Sequence, residues 1–169
     1  DPDLPGRGET AGLPAALARA GAHGGLCAFT DLTGIPDALH HAELAALCAH
    51  AAPELGPVAS WGALGSWGLV AELWTAAGRP VPTTPLFALT THRRGEQLIE
   101  GLAAFLEAGG DVASAAKALH LHRASLYRRI ERVEEITGLD LRRGDDRLAA
   151  HLGLRLLRLH ATVVASRSE

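Results

Sequence analysis

Two short helical patterns in this chain lie only three residues apart. Val112, Ala115, Ala116 and Leu119 form an apolar stripe, His120-Leu121-His122 intervenes, and a second pattern runs from about Arg123 to Thr137. Helices joined so tightly pack at a steep angle, and only small residues let their axes approach. Ala115 and Ala116 supply them, while Leu119, Leu121, Leu126 and Ile130 fill the wedge. A further pattern, Glu96 to Ala108, carries Leu98, Leu102, Phe105 and Leu106 at helical spacing; Gly109 is placed to end it in a left-handed cap and Asp111 to cap the next helix. A last helix is expected from about Asp145 to Val164, with Leu148, Leu152, Leu156 and Leu159 in register. The expected fold is mainly α, with a helix-turn-helix bundle at its C-terminal end.

The front of the chain reads differently. Leu13 to Ala20 is a short helical run, Leu26 to Thr30 and Val58 to Trp61 read as buried strands, and Pro36 opens a helix that Pro53 stops. On that helix Leu39, Leu44, Leu47 and Ala51 are expected near one face. Three prolines within Pro80-Val81-Pro82-Thr83-Thr84-Pro85 exclude a continuous helix and mark a boundary. The expected organisation is a truncated α/β region over 1–78, a linker with a short helix over 79–95, and a helix-turn-helix domain over 96–165.

A chain of 169 residues, 47% of them apolar, buries a core without disulfide or metal. Cys27 and Cys48 therefore read as small hydrophobes of a reducing compartment, and a cytoplasmic location is expected. No run of 18 uncharged apolar residues occurs, and Asp1-Pro2-Asp3 is unlike a signal peptide, so no membrane span is expected. Methionine is absent even at position 1, which points to a fragment or processed chain whose N-terminal partner domain is missing. His40, His41, Cys48 and His50 lie close in sequence but diverge around one helix, so no metal site is expected. Ser66 misses the nucleophile-elbow spacing and no Gly-Lys-Ser/Thr loop occurs, so neither an enzyme nor a cofactor is expected. Trp61, Trp67 and Trp74 read as core or interface residues.

Charge is divided unevenly. Residues 1–90 carry net −5 and residues 91–169 net +2, within a total of −3. Lys117 is the one lysine among sixteen basic residues, so anion recognition would use guanidinium groups. At 100° per residue from Leu126, Ile130 falls at about 40° and Val133 at about 340°, which makes this face the buried one. Ala124 and Arg128 point the opposite way, Ser125, Arg129 and Arg132 share one shoulder, and Tyr127 lies on the other. A duplex major groove about 12 Å wide admits such a helix where its closest side chains are short and its forked donors reach base edges or phosphates. Arg123 and Arg128 are the candidates for base edges; Ser125 reaches base or phosphate; Arg129, Arg132 and Lys117 suit phosphates. His122 either reaches DNA or caps the helix.

From about Leu98 to Leu159 the chain resembles the C-terminal helix-turn-helix domain of the PucR/CdaR family of bacterial transcription regulators, whose reading unit is Fis-like. The resemblance rests on the stretches Phe105 to Asp111, His122 to Leu126, Arg129 to Leu141, Asp145 to Leu148 and Leu154 to Leu157. Two departures stand out. Ala124 and Ser125 follow His-Arg where the family commonly has asparagine and threonine, and Arg128 occupies the usual tyrosine position with Tyr127 just before it. Base preference does not carry over. Residues from about Leu13 to Trp74 resemble the tail of the degenerate GGDEF-like domain that precedes this unit in the family, through Ile35 to Leu39, Leu55 to Trp61 and Leu64-Gly65. Gly109-Gly110-Asp111 only mimics that domain's signature and implies no cyclic-dinucleotide chemistry.

The resemblance implies a sequence-specific regulator that binds double-stranded DNA, with a small-molecule effector expected at the missing N-terminal domain; one short reading helix gives too small an interface for tight binding, so a homodimer or higher homo-oligomer is expected. The competing interpretation is a protein-interaction or sensory module whose helix-turn-helix no longer binds DNA. Its support is the modest overall charge, together with the surface pairs that Arg128 with Glu131, or Arg132 with Glu135, would form. Against it, the acids Glu131, Glu134 and Glu135 gather at the far end of the helix and leave its first turns cationic.

Overall fold

A computed structural model describes residues 12–167. The expectations for residues 1–11, including Arg7 and the acidic start, lie outside them. The fold is mainly α. Eight helices are present among the described residues, with one two-stranded sheet. The described residues divide into two compact units, 12–80 with 158–167, and 81–157.

In the first unit, α1 (Leu13–Ala20) leads into β1 (Gly24–Leu26), which pairs in parallel with β2 (Val58–Ser60) in the register Gly24 to Val58. The connection runs through α2 (Ile35–Ala51), and α3 (Ser66–Ala76) follows β2. The first strand sits earlier than the apolar run Leu26 to Thr30 suggested. Gly25 lies so close to α2 that a Cβ there would come within 1.8 Å of the Ala42 carbonyl oxygen, so glycine, rather than apolar bulk, permits this strand to lie against the helix. Leu39 is 61% exposed, a correction to the expected stripe, and it stands about 140° around α2 from the buried Leu44. Trp67 and Trp74 are buried in the core of this unit; the Trp74 indole N–H donates to the Pro80 carbonyl at 2.9 Å. His41 stacks on Trp61 and His50 on His23. Both cysteines are free thiols, Cys48 buried and Cys27 half-buried.

The second unit holds α4 (Phe87–Thr90), α5 (Gly95–Glu107), α6 (Val112–Ala118), α7 (Arg123–Thr137) and the first part of α8 (Gly144–Ser166). Its core gathers Leu86, Leu89, Leu98, Leu102, Phe105 and Leu106 with Ala115, Ala116, Leu126, Ile130, Val133, Ala150, Leu154 and Leu157. Gly109 adopts the expected left-handed conformation (φ 65°) after α5. The buried row of α8 here is Ala150, Leu154 and Leu157, while Leu148 is 57% exposed and Leu152 and Leu156 are half-buried. The stripe through Leu148, Leu152 and Leu156 therefore does not supply this core, which lies on the opposite side of the helix. α8 is apolar on more than one face, divided by the stripe Arg147, His151, Arg155 and Arg158, and the small Ala150 and Gly153 select the face that packs, with Leu86 lying over Gly153. By length and composition alone α8 would reach across a bilayer, with mean hydropathy 1.2 in its most apolar stretch. Its Ala150, Leu154 and Leu157 are nevertheless spent on a protein core.

Candidate nucleic-acid interface

The site begins with three local devices that fix α6 against α7. The Asp111 carboxylate accepts from the amides of Ala113 (2.7 Å) and Ser114 (3.2 Å) at the start of α6. Those hydrogen bonds hold its carboxyl below the ordinary carboxylate value. Ala115 and Ala116 are essentially inaccessible where the helices cross. The connection is four residues long, Leu119 to His122, one more than the pattern suggested, because α6 stops at Ala118. In it His120 takes a left-handed conformation (φ 53°) and the Leu121 amide donates to the Ala116 carbonyl at 2.8 Å, closing the end of α6. His122 is the N-cap of α7, its ring Nδ1 accepting from the Ala124 amide at 3.2 Å. Gly138, left-handed at φ 73°, ends the helix.

α7 buries Leu126, Ile130 and Val133 and exposes Arg123, Ala124, Ser125, Tyr127, Arg128 and Arg132. Lys117 is exposed on α6. Arg129 goes elsewhere. Its guanidinium donates to the Gln97 carbonyl (3.1 Å) and to the Glu100 carboxylate (3.0 Å), and its stem lies over Gly101, so it fastens α7 to α5. Arg132 pairs with Glu135 at 2.7 Å, both side chains more than half exposed. Arg123 and Arg128 enter no ion pair among the described residues, and Arg128 has not paired with Glu131.

Beside α7 lies a half-open hollow of about 630 Å³. His92, Arg93, Arg94 and Gln97 line it from the α4–α5 corner, Ser125, Arg128 and Arg132 from α7, and Leu98 and Arg129 complete it. Arg93 and Arg94 are exposed and, like Arg128, make no ion pair among the described residues. Sequence reasoning missed this pair by assigning residues 79–95 to a linker. The signal available was a His-Arg-Arg triplet directly ahead of a helix. The corner is held by the Arg94 amide, which donates to the His92 ring Nδ1 at 3.2 Å, and by Gly95, where a Cβ would stand 2.0 Å from the Leu89 carbonyl oxygen.

An N-capped helix set by a tight turn against a small-residue partner, its first turns exposed and cationic, defines a helix-turn-helix domain of the kind carried by transcription regulators. Residues 98–156 match the PucR C-terminal helix-turn-helix domain. A stretch of 72 residues, 43% of this chain, is 39% identical to the carbohydrate diacid regulator of Escherichia coli (strain K12). The match spans 19% of that protein's length. No solved structure matches the chain.

Proposed function

We propose that this chain is the DNA-binding end of a transcription regulator and that α7 enters the major groove in the Fis-like manner. The observation that carries the reading is the pair Arg123 and Arg128, exposed on the first two turns of α7 without an acidic partner among the described residues. Forked donors on a helix of this width match guanine edges in the groove. Ala124 provides the close approach, Ser125 and Tyr127 flank it, and Lys117 and Arg132 meet the backbone, while His122 acts as the cap of α7. Arg129 acts through α5 and positions α7. The reading domain is residues 81–157, with Leu86 and Leu89 of the expected linker in its core, and residues 1–78 are the end of a preceding GGDEF-like region, for which the parallel β1–α2–β2 unit is the support. The protein acts in the cytoplasm without catalysis, as two or more copies on one operator, and answers to a small effector bound by a domain N-terminal to this chain.

The test is duplex binding across a salt series, using sites selected from a random pool. Affinity falls steeply as salt rises, and an Arg123→Ala, Arg128→Ala double variant loses the preference for selected sites. A wild-type affinity no better than that of the double variant at every salt concentration gives the surface to a protein partner instead.

A further inference from the structure

We propose that the corner Arg93-Arg94 is a phosphodiester-binding site that grips the DNA backbone beside α7. This rests on the reading of α7 as the helix that enters DNA. The major groove is about as wide as a helix with its side chains, so a seated helix has a phosphate strand along each shoulder. The row Ser125, Arg128, Arg132, spaced three and four residues apart, runs from the outward face of α7 to one shoulder and lines the hollow. The opposite side of the hollow is Arg93-Arg94, some 35 positions earlier in the sequence.

Five guanidinium groups line this one space. Two are neutralised by protein, Arg129 by Glu100 and Arg132 by Glu135. Arg93, Arg94 and Arg128 are not, so a bound anion would find three uncompensated cations there. The fixed corner carries these side chains on a backbone that is already ordered, which lowers the entropy cost of holding a phosphate. A half-open hollow lets a continuous strand lie along it, which a closed pocket for a small phosphate ester would not.

The experiment compares the full chain with an Arg93→Gln, Arg94→Gln variant in fluorescence-anisotropy titrations. Selected and scrambled duplexes are used between 50 and 300 mM chloride, roughly the range over which counterion release is resolved. The variant weakens binding to all duplexes by the same factor, leaves the ratio between selected and scrambled sites unchanged, and flattens the slope of log affinity against log salt by about 2, near 0.9 for each lost contact. Replacing single phosphates along the flank by uncharged methylphosphonates weakens the wild type at one or two positions and leaves the variant unaffected there. Both side chains are exposed, so the variant's thermal unfolding matches the wild type. A variant with wild-type slope and affinity overturns the proposal. So does displacement of DNA by inorganic phosphate at matched ionic strength without any methylphosphonate effect, which would make the hollow a small-anion site. If the wild type shows no salt-dependent duplex affinity, the reading of α7 fails and this inference falls with it; if only the Gln variant is silent, that reading stands.

Discussion

Arg128 and Arg129 are adjacent in sequence and about 100° apart on α7, and that rotation separates a group free to meet a partner from one committed to the fold. The Arg129 head joins Gln97 and Glu100, its side chain only 21% exposed. Arg129→Ala is therefore expected to lower domain stability by about 1 kcal/mol in urea denaturation, with the salt slope of DNA binding unchanged. A flattened slope at full stability would instead place Arg129 on a phosphate. The helical angles alone were enough to separate Leu126, Ile130 and Val133 from Arg123 and Arg128, because burial along a single helix follows its period. They did not disclose the fate of Arg129, whose acidic partner lies 29 residues earlier, nor the convergence of Arg93 and Arg94 on α7; both depend on how α5 packs. Cysteine reactivity follows environment in the same way. Burial pushes the Cys48 thiol up to about 11, whereas Cys27 is half-buried. Brief alkylation of the native protein at about pH 8, below the raised Cys48 value, should label Cys27 first, with Cys48 labelled only after denaturation, as read by mass spectrometry of the digested chain.

At the scale of elements, the tight turn is legible from its flanks, since Ala115, Ala116 and the two helical stripes leave few other arrangements. The left-handed residue within it is not, because His120 carries no glycine signal and is driven to φ 53° by the closure of α6. A side chain with a Cβ is strained there, so His120→Gly should stabilise the domain by roughly 0.5–1 kcal/mol, seen as a higher urea midpoint at unchanged slope. The Asp111 cap gives the turn an acid limit. Hydrogen bonds from Ser114 and Ala113 lower its pKa in the fold beneath the ordinary 3.8. Its contribution is complete above 3.8 and is lost as pH falls through the lower folded value, since the unfolded chain takes up the proton first. Asp111→Asn keeps an acceptor oxygen, so the melting temperature near neutrality should stay close to wild type while its acid decline becomes shallower. Asp111→Ala should lower it at both pH values.

For the whole molecule the same partition between legible and hidden holds. Breakers and charge separate a mixed front from a helical rear, and the two compact units meet in sequence at Pro80, inside the proline cluster. The return of residues 158–167 to the first unit carries no comparable mark in the sequence, because α8 is apolar on more than one face and periodicity does not say which core each face serves. Its exposed Leu148 and half-buried Leu152 and Leu156 remain unspent on the core of the second unit. On the proposed reading one α7 spans only a few base pairs, too small an interface for tight specific binding, so two copies are expected to engage two half-sites. Sites selected by the full chain should then be inverted repeats with centres about 34 Å, or roughly 10 base pairs, apart, or a multiple of that. Sedimentation of the complex should give two chains per duplex. Adding about 5 base pairs between the half-sites puts them on opposite faces of the helix and should abolish the gain, whereas adding about 10 restores the facing and part of the affinity. A single chain saturating an asymmetric site with full affinity, indifferent to that insertion, would refute paired binding while leaving α7 as the reading helix.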